Sequence, residues 1–425
     1  MQEMHSYIAS GEYISIVDGG RFLMDLSNVN NIQKIMAIAM GIALCLQRLS
    51  MAIGSICWGV AIACFLYLLF AAYKMGTLKA KIEAYKPYYK VILLMWLCFL
   101  PTVIFAPDLK TSIKTFIEMW IYRLMPFFMV TLFLQNKKYL AKIAVAFIIA
   151  TSLDSLVALA QVLLGMTSRG WGFGGHMLNL ASLLCIMIPM LLIIIMDDSF
   201  SIKAKNIAKA AILCCVLGLI AGKSRGAWLT LTIVLPLVSF RYIFKSKKNL
   251  TIALAIVLII VGSIASSQEY RQRAMSISNI TTDISNADRI RVWESAFYMI
   301  KDNPIAGVGL GEFRKVYNSG YRTKETVQDM VHSHNNIIQI WAETGTIGIF
   351  GFLYMSLYVL IANFREWCVS KSPYSLMIWG SWFGFMIFGM FDLIIDHAAI
   401  TKVWWFVLAM LLYLKNCKKD NGVQG

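Results

Sequence analysis

A histidine pair and two spaced glycines stand in a fixed order in the last third of this 425-residue chain: His332-Ser333-His334-Asn335, then Gly345-Thr346-Ile347-Gly348. His334 falls where a polar stretch gives way to a helix expected to run to Gly345, a good C-cap residue. An imidazole at a helix N-terminus has its cationic form disfavoured by the dipole. It is biased toward the neutral form, which accepts a proton in general-base chemistry. The plainer reading of His332 and His334 is a solvated loop near lipid headgroups.

Arginines supply the second kind of chemistry. Arg225 lies in Lys223-Ser224-Arg225-Gly226, at the end of a helical hairpin, and Arg289 and Arg291 open an amphipathic helix. Arginines at membrane level are costly and tend to be functional. Several planar donor forks together suit an anionic group such as a lipid-linked diphosphate. Each arginine alone is equally compatible with snorkelling to the headgroups. Arg169 and His176 frame Arg169-Gly170-Trp171-Gly172-Phe173-Gly174-Gly175-His176, a loop suited to backbone contact with a sugar or phosphate, or to a tight re-entrant turn. Arg123, Asp154 and Asp392 fall inside apolar runs, where charges pair or line cavities, and Arg123 with Asp154 is a candidate pair. His332, His334, His397, Asp392 and Asp396 are conceivable metal ligands, but no spacing among them matches a zinc pattern, and no metal is expected. Gly222-Lys223-Ser224 imitates the end of a phosphate-binding P-loop. Gly218 and Gly222 enclose three residues where that motif needs four, and no strand precedes them, so no nucleotide site is expected.

The elements that position these residues are membrane helices. The chain is 59% hydrophobic and only 15% charged, with a mean hydropathy of +0.66. Its apolar residues come in runs of about 17–23, the length of a helix that crosses a bilayer. The first ~30 residues are mixed and polar, so no cleavable signal is expected there. Hydropathy places about twelve spans, at 32–48, 51–73, 91–106, 117–135, 143–164, 177–195, 206–222, 226–243, 250–267, 345–364, 376–394 and 399–415. The pairs at 206–243 and 376–415 read as hairpins with very short turns. The expected fold class is therefore all-α and polytopic. Residues 1–31 form a cytoplasmic segment, 32–267 carry nine spans, 268–344 a large extracytoplasmic loop holding active-site residues, 345–415 three spans, and 416–425 a cytoplasmic tail.

The formal charge of +16 would suggest nucleic acid in a soluble protein. Here topology accounts for most of it, because alternate short loops are basic (Lys74 to Lys90; Lys137, Lys138 and Lys142; Arg241 to Lys248). With twelve spans these loops share the cytoplasmic face, and no nucleic-acid partner is expected. Segment 268–344 then lies outside, and its own arginines need another explanation, an anionic ligand. Within it, Ile290, Trp293, Phe297 and Ile300 share a helical face expected to rest on the membrane or the bundle mouth. Most of the nine cysteines sit in apolar runs and none lies in 268–333, so that segment carries no internal disulfide.

Taken together, Ser224-Arg225-Gly226-Ala227, Arg289-Ile290-Arg291-Val292-Trp293, Asn303-Pro304-Ile305-Ala306-Gly307-Val308-Gly309-Leu310-Gly311 and His334-Asn335 with Gly345-Thr346-Ile347-Gly348 resemble the O-antigen ligase and O-antigen polymerase superfamily of bacterial envelope glycosyltransferases. The resemblance is strongest over about 220–350. It implies a cofactor-free, metal-independent transferase in the bacterial inner membrane, multi-pass, with its site facing the periplasm and membrane lipids around it. The donor is a glycan on undecaprenyl diphosphate. The acceptor is a sugar hydroxyl of lipid A–core in a ligase, or another lipid-linked repeat unit in a polymerase. His334 matches the family's essential histidine. Arg225 and Arg289 match arginines used around the diphosphate, and Arg291 joins them by proximity. Asn335, His332, Arg169 and His176 are expected in supporting roles. Ile349 stands where the ligase pattern commonly has threonine or valine, which keeps the polymerase as the alternative. A lipid-linked glycan transporter is a third reading, although no inverted repeat is visible.

Overall fold

A computed structural model describes residues 12–17, 20–247, 249–251, 254, 255, 258, 262, 268–275, 284–323 and 331–422. The expected architecture of α-helical membrane spans holds. The helices that matter here are α1 (Leu26–Leu46), α2 (Met51–Lys74), α3 (Lys86–Ile104), α4 (Leu109–Leu132, with a π-helical turn at Phe116–Ile121), α5 (Lys137–Leu163), α6 (Met177–Met196), α7 (Ile202–Gly222), α8 (Arg225–Ile243), α9 (Ile284–Asp302), α10 (Asn336–Ser370), α11 (Pro373–Phe388) and α12 (Ala398–Gly422). Ten of them, all except α9 and α11, are long and apolar enough to cross a membrane. The count of twelve is not reached among the described residues. The span expected at 250–267 lies largely outside them, and α11 stops after 16 residues. A two-stranded antiparallel hairpin, β1 (Glu12–Val17) with β2 (Gly20–Asp25), precedes α1.

Helix ends are fixed locally. Ser50, Ser201 and Ser224 each accept a backbone N–H three residues on, capping α2, α7 and α8. Lys223 takes the left-handed conformation at φ 47° and turns the chain from α7 into α8. The short hairpin expected at 206–243 is therefore present.

The chain forms two compact units. One comprises Met1–Tyr89, Met125–Ala150 and Trp405–Gly425, the other Lys90–Leu124 and Thr151–Trp404. In the first, α1 packs on α2, and the Tyr89 and Thr131 hydroxyls hydrogen-bond at 2.6 Å. In the second, α6 is apolar and buried over most of its length, and α7, α8 and α11 pack around it. Trp382 and Phe385 of α11 stack on Trp404 at ring separations of 3.5 and 4.0 Å. All the residues singled out for chemistry belong to this second unit.

A small core within that unit carries the site. The buried face of α9 is Val292, Ala296 and Met299, packed with Val308, Phe313, Tyr317, Ile338 and Ala342. Of the apolar face read from spacing, Ile300 is buried here and Trp293 packs against this core, while Ile290 and Phe297 are exposed. The 308–317 segment and the start of α10 pack closely on the buried side chains. Asn303–Gly311 is stitched to α10 by four backbone hydrogen bonds, Val308 N–H to the Ala342 carbonyl, Gly309 to Glu343, Thr346 to Pro304 and Ile347 to Ile305. Donors and acceptors meet because α10 breaks at Gly345, whose φ 65° and ψ −169° are accessible only to glycine. A side chain there would overlap the Ile305 carbonyl oxygen, and one at Gly307 would overlap the Glu343 carbonyl. We expect Gly345→Ala to cost about 1–3 kcal/mol in backbone strain alone and to lower the melting temperature in detergent. An unchanged melt would show that the break is dispensable.

Candidate active site

His334 sits at φ 52°, in the left-handed region, immediately before the cap of α10. The cap is Asn335, whose Oδ1 accepts the Ile337 and Ile338 N–H groups at 2.9 and 3.1 Å. Its Nδ2 donates to the Met390 carbonyl. The next residue, Asn336, accepts from the Ile394 and Ile395 N–H groups through Oδ1, and its backbone N–H donates to the Gly389 carbonyl at 2.6 Å. Two successive asparagines thus hold the 389–397 segment out of helical geometry. For this reason α11 ends at Phe388 rather than near 394, and the expected short turn of the 376–415 hairpin becomes a nine-residue segment.

The consequence is a histidine–carboxylate pair. His334 Nδ1 and Asp392 Oδ1 are 2.9 Å apart, with Asp392 buried. The pair, and not the helix dipole, fixes the imidazole. A carboxylate at Nδ1 selects the tautomer that carries its proton there and leaves the Nε2 lone pair to accept one. Asp392 Oδ2 is buried and accepts no hydrogen bond among the described residues.

His332 completes the group. Its Nδ1 accepts the His334 backbone N–H at 3.2 Å, and the two rings lie 4.2 Å apart. The Trp293 indole donates to the Ser333 carbonyl at 2.8 Å, tying α9 to this segment. The Ser333 N–H donates to Gln339 Oε1, and Gln339 Nε2 donates to Glu343 Oε1. Burial, followed by the neighbouring His334, holds His332 down to about 4, so it stays neutral. Burial pushes the Asp392 carboxyl up, but the hydrogen bond and charge of His334 outweigh it and leave it below its ordinary value.

These directions have one sign. A depressed histidine takes up its proton in the unfolded chain near pH 6.5 and in the fold only near pH 4. The unfolded state then binds more protons, and stability falls as pH drops through that window. The depressed Asp392 loses its contribution in the same direction at lower pH. Thermal unfolding followed from pH 8 to pH 4 should show this loss, and His332→Gln should flatten the part between about 6.5 and 4. A slope unchanged in the variant would contradict the assignment.

Arginines gather beside Asp392. A cavity of about 320 Å³ is lined by Arg225, Arg289, Leu229, Ile290, Trp293 and Phe391 among others. A smaller one of about 80 Å³ shares Arg225, Gly226, Arg289 and Phe391 with it and adds Arg169 and Asp392. Three arginines, from the 165–176 loop, α8 and α9, therefore border one cavity with Asp392. Arg169 is steered there by Nε donation to the Gly222 carbonyl. Its loop is held by Gln161, which accepts the Trp171 and Gly172 N–H groups, and by Asp154, which accepts that of Phe173 at 2.6 Å.

Not every expected residue joins this group. Arg291 forms an ion pair with fully buried Asp288 at 2.9 Å and lines neither cavity. His176 lies beside the His397 ring at 6.4 Å. The suggested Arg123–Asp154 pair does not form: Arg123 lies 3.5 Å from Asp396 and donates to the Ile395 carbonyl, because the 389–397 segment turns toward α4. Of the five conceivable metal ligands, His332, His334 and Asp392 present ligand atoms within 4.8 Å of one another, although both Nδ1 atoms are already engaged in hydrogen bonds. Asp392 was the residue whose role the sequence concealed.

Comparison with known proteins bears on what this site acts on. Residues 210–353 match a family model described as O-antigen ligase. Over 334 residues the chain is 28% identical to an O-antigen ligase of Salmonella typhimurium, covering 73% of this chain and 79% of that protein. Over 191 residues it is 28% identical to a putative polysaccharide ligase of Rickettsia felis, covering 41% of this chain and 44% of that one. The matched segment contains Arg225, Arg289, Arg291 and the His332–Gly348 run.

Proposed function

We propose that this chain is a multi-pass membrane enzyme of the O-antigen ligase superfamily that transfers an O-antigen-like glycan from undecaprenyl diphosphate to a sugar hydroxyl of lipid A–core, at the periplasmic face of the inner membrane. The observation that carries the reading is the junction of a histidine–carboxylate pair with a three-arginine cavity at Asp392.

In the proposed step, Arg225, Arg289 and Arg169 hold the donor's diphosphate. The prenyl chain leaves over the apolar wall formed by Leu229 and Ile290. His334 Nε2 takes the proton of the acceptor hydroxyl as its oxygen bonds to the anomeric carbon, and Asp392 stabilises the imidazolium that forms. The bond from anomeric carbon to phosphate oxygen breaks, and undecaprenyl diphosphate departs with the electron pair. Negative charge grows on that oxygen as the bond breaks, so guanidinium groups aimed at it bind the transition state more tightly than the ground state. The diphosphate ester is already activated, so no nucleotide enters, and the step routes through no metal.

A reconstituted assay tests the reading. Lipid-linked glycan is offered with either lipid A–core or a second lipid-linked unit. Transfer to lipid A–core is the expected result, and chain growth on the second unit alone would make the protein a polymerase.

A further inference from the structure

A second cavity, of about 300 Å³, is lined by His332 and shares no lining residue with the arginine cavities. His332 lines it, and His332 touches His334, whose partner Asp392 lines the arginine cavity. The two side chains that touch the His334 ring, His332 and Asp392, therefore border one chamber each. Resting on the proposed transfer, we propose that this second chamber is the acceptor subsite, which seats an uncharged sugar ring and presents one of its hydroxyls to His334.

The lining argues for that class of ligand. The arginine chamber has three cations against one carboxylate. The second has Arg123 and Arg314 against Glu118, Glu343 and Asp396. Arg123 is itself engaged by Asp396 and the Ile395 carbonyl. No cation excess remains there to draw a phosphate. What the wall offers is carboxylate, amide and imidazole groups, donors and acceptors that suit the hydroxyls of a sugar ring. Trp120 closes the wall from behind, buried with its ring packed edge-on against Phe99 and Phe352. The π-helical turn Phe116–Ile121 places Glu118 and Trp120 on this wall, and such turns concentrate at functional sites. Leu310 and Gly311, which follow the stitched Val308 and Gly309, also line the chamber.

The test separates acceptor from donor. Glu118→Gln and Asp396→Asn, singly and together, are compared with Arg225→Ala in the reconstituted assay. In the first set we expect the acceptor KM to rise ~10-fold or more, as for hydroxyl contacts left unpaired. The melting-temperature rise induced by undecaprenyl diphosphate should stay at its wild-type value. Arg225→Ala should do the reverse. Glu118→Gln alone reads the chamber if the Asp396 variant does not fold, since Glu118 is half exposed. Lipid A–core and a second lipid-linked unit are run as separate arms, and the arm whose KM shifts names the source of the ring. An acceptor KM unchanged in both arms overturns the proposal while leaving the proposed function standing. If wild-type protein transfers to neither acceptor, the functional reading fails, and the chamber is read by calorimetric binding of delipidated core oligosaccharide. Weaker binding to Glu118→Gln than to wild type then supports the chamber, and equal or absent binding overturns it.

Discussion

Replacing His334 with alanine is expected to reduce glycan transfer by ~10³-fold, within the range contributed by a positioned general base, while leaving donor binding intact. The imidazole contacts Asp392 and His332. The backbone of the segment is held by other groups, Asn335, Asn336, Gln339 and Trp293. Loss of the ring should therefore leave the fold and the arginine cavity in place. Undecaprenyl diphosphate should still raise the melting temperature of the variant by the wild-type amount. Asp392→Asn should give a loss as large, ~10³-fold or more, because a carboxamide can turn its N–H to Nδ1 and hold the tautomer whose Nε2 already carries the proton. Rates measured for the three proteins at saturating donor decide the matter. Equal activity in His334→Ala would remove the base from the mechanism.

Arg289→Ala is the second large effect. Arg289 lines both arginine cavities, and so does Arg225. The other cationic candidate of α9, Arg291, is occupied by Asp288. Loss of one donor fork aimed at a leaving diphosphate should reduce kcat by ~10²–10³-fold, with donor affinity weakened as well. Arg289→Lys should recover only part of the activity, since an ammonium cannot present a bidentate planar fork. Arg291→Ala is the internal control. It uncovers the buried Asp288 carboxylate and should lower stability more than turnover at a temperature where the protein is folded. A kcat loss in Arg291→Ala equal to that in Arg289→Ala, with the melt unchanged, would move the diphosphate to the other side of α9.

What was legible in the sequence was local. The Ser224 cap before Arg225 and the Asn335 cap after His334 are made by neighbours two or three residues away, so their motifs survive as patterns. Hydropathy likewise places helices, because apolar length is itself the physical requirement for a span. The rest depends on distant partners. Asp392 is 58 positions from His334. It read as part of an apolar helix because nothing in 376–394 announces that Asn336 will take up its backbone groups. The side of α9 that packs toward α10 through Val292, Ala296 and Met299 was not legible, because a small residue such as Ala296 does not by itself announce a close contact. Asp154 read as a partner for Arg123 because both are charges in apolar runs. The deciding groups are the Phe173 N–H and Asp396, which sequence spacing does not relate to either.

The central claim is that one site joins proton removal at His334 to departure of the diphosphate among the arginines. A single-turnover experiment tests it most directly. Protein preloaded with lipid-linked glycan is mixed with lipid A–core, and free undecaprenyl diphosphate and glycosylated acceptor are followed together. Wild-type protein should release one diphosphate for each glycan joined, with the same time course. His334→Ala should retain the loaded donor and form neither product over that interval. Release of undecaprenyl diphosphate by His334→Ala at the wild-type rate, or wild-type release uncoupled from acceptor glycosylation, would contradict the account.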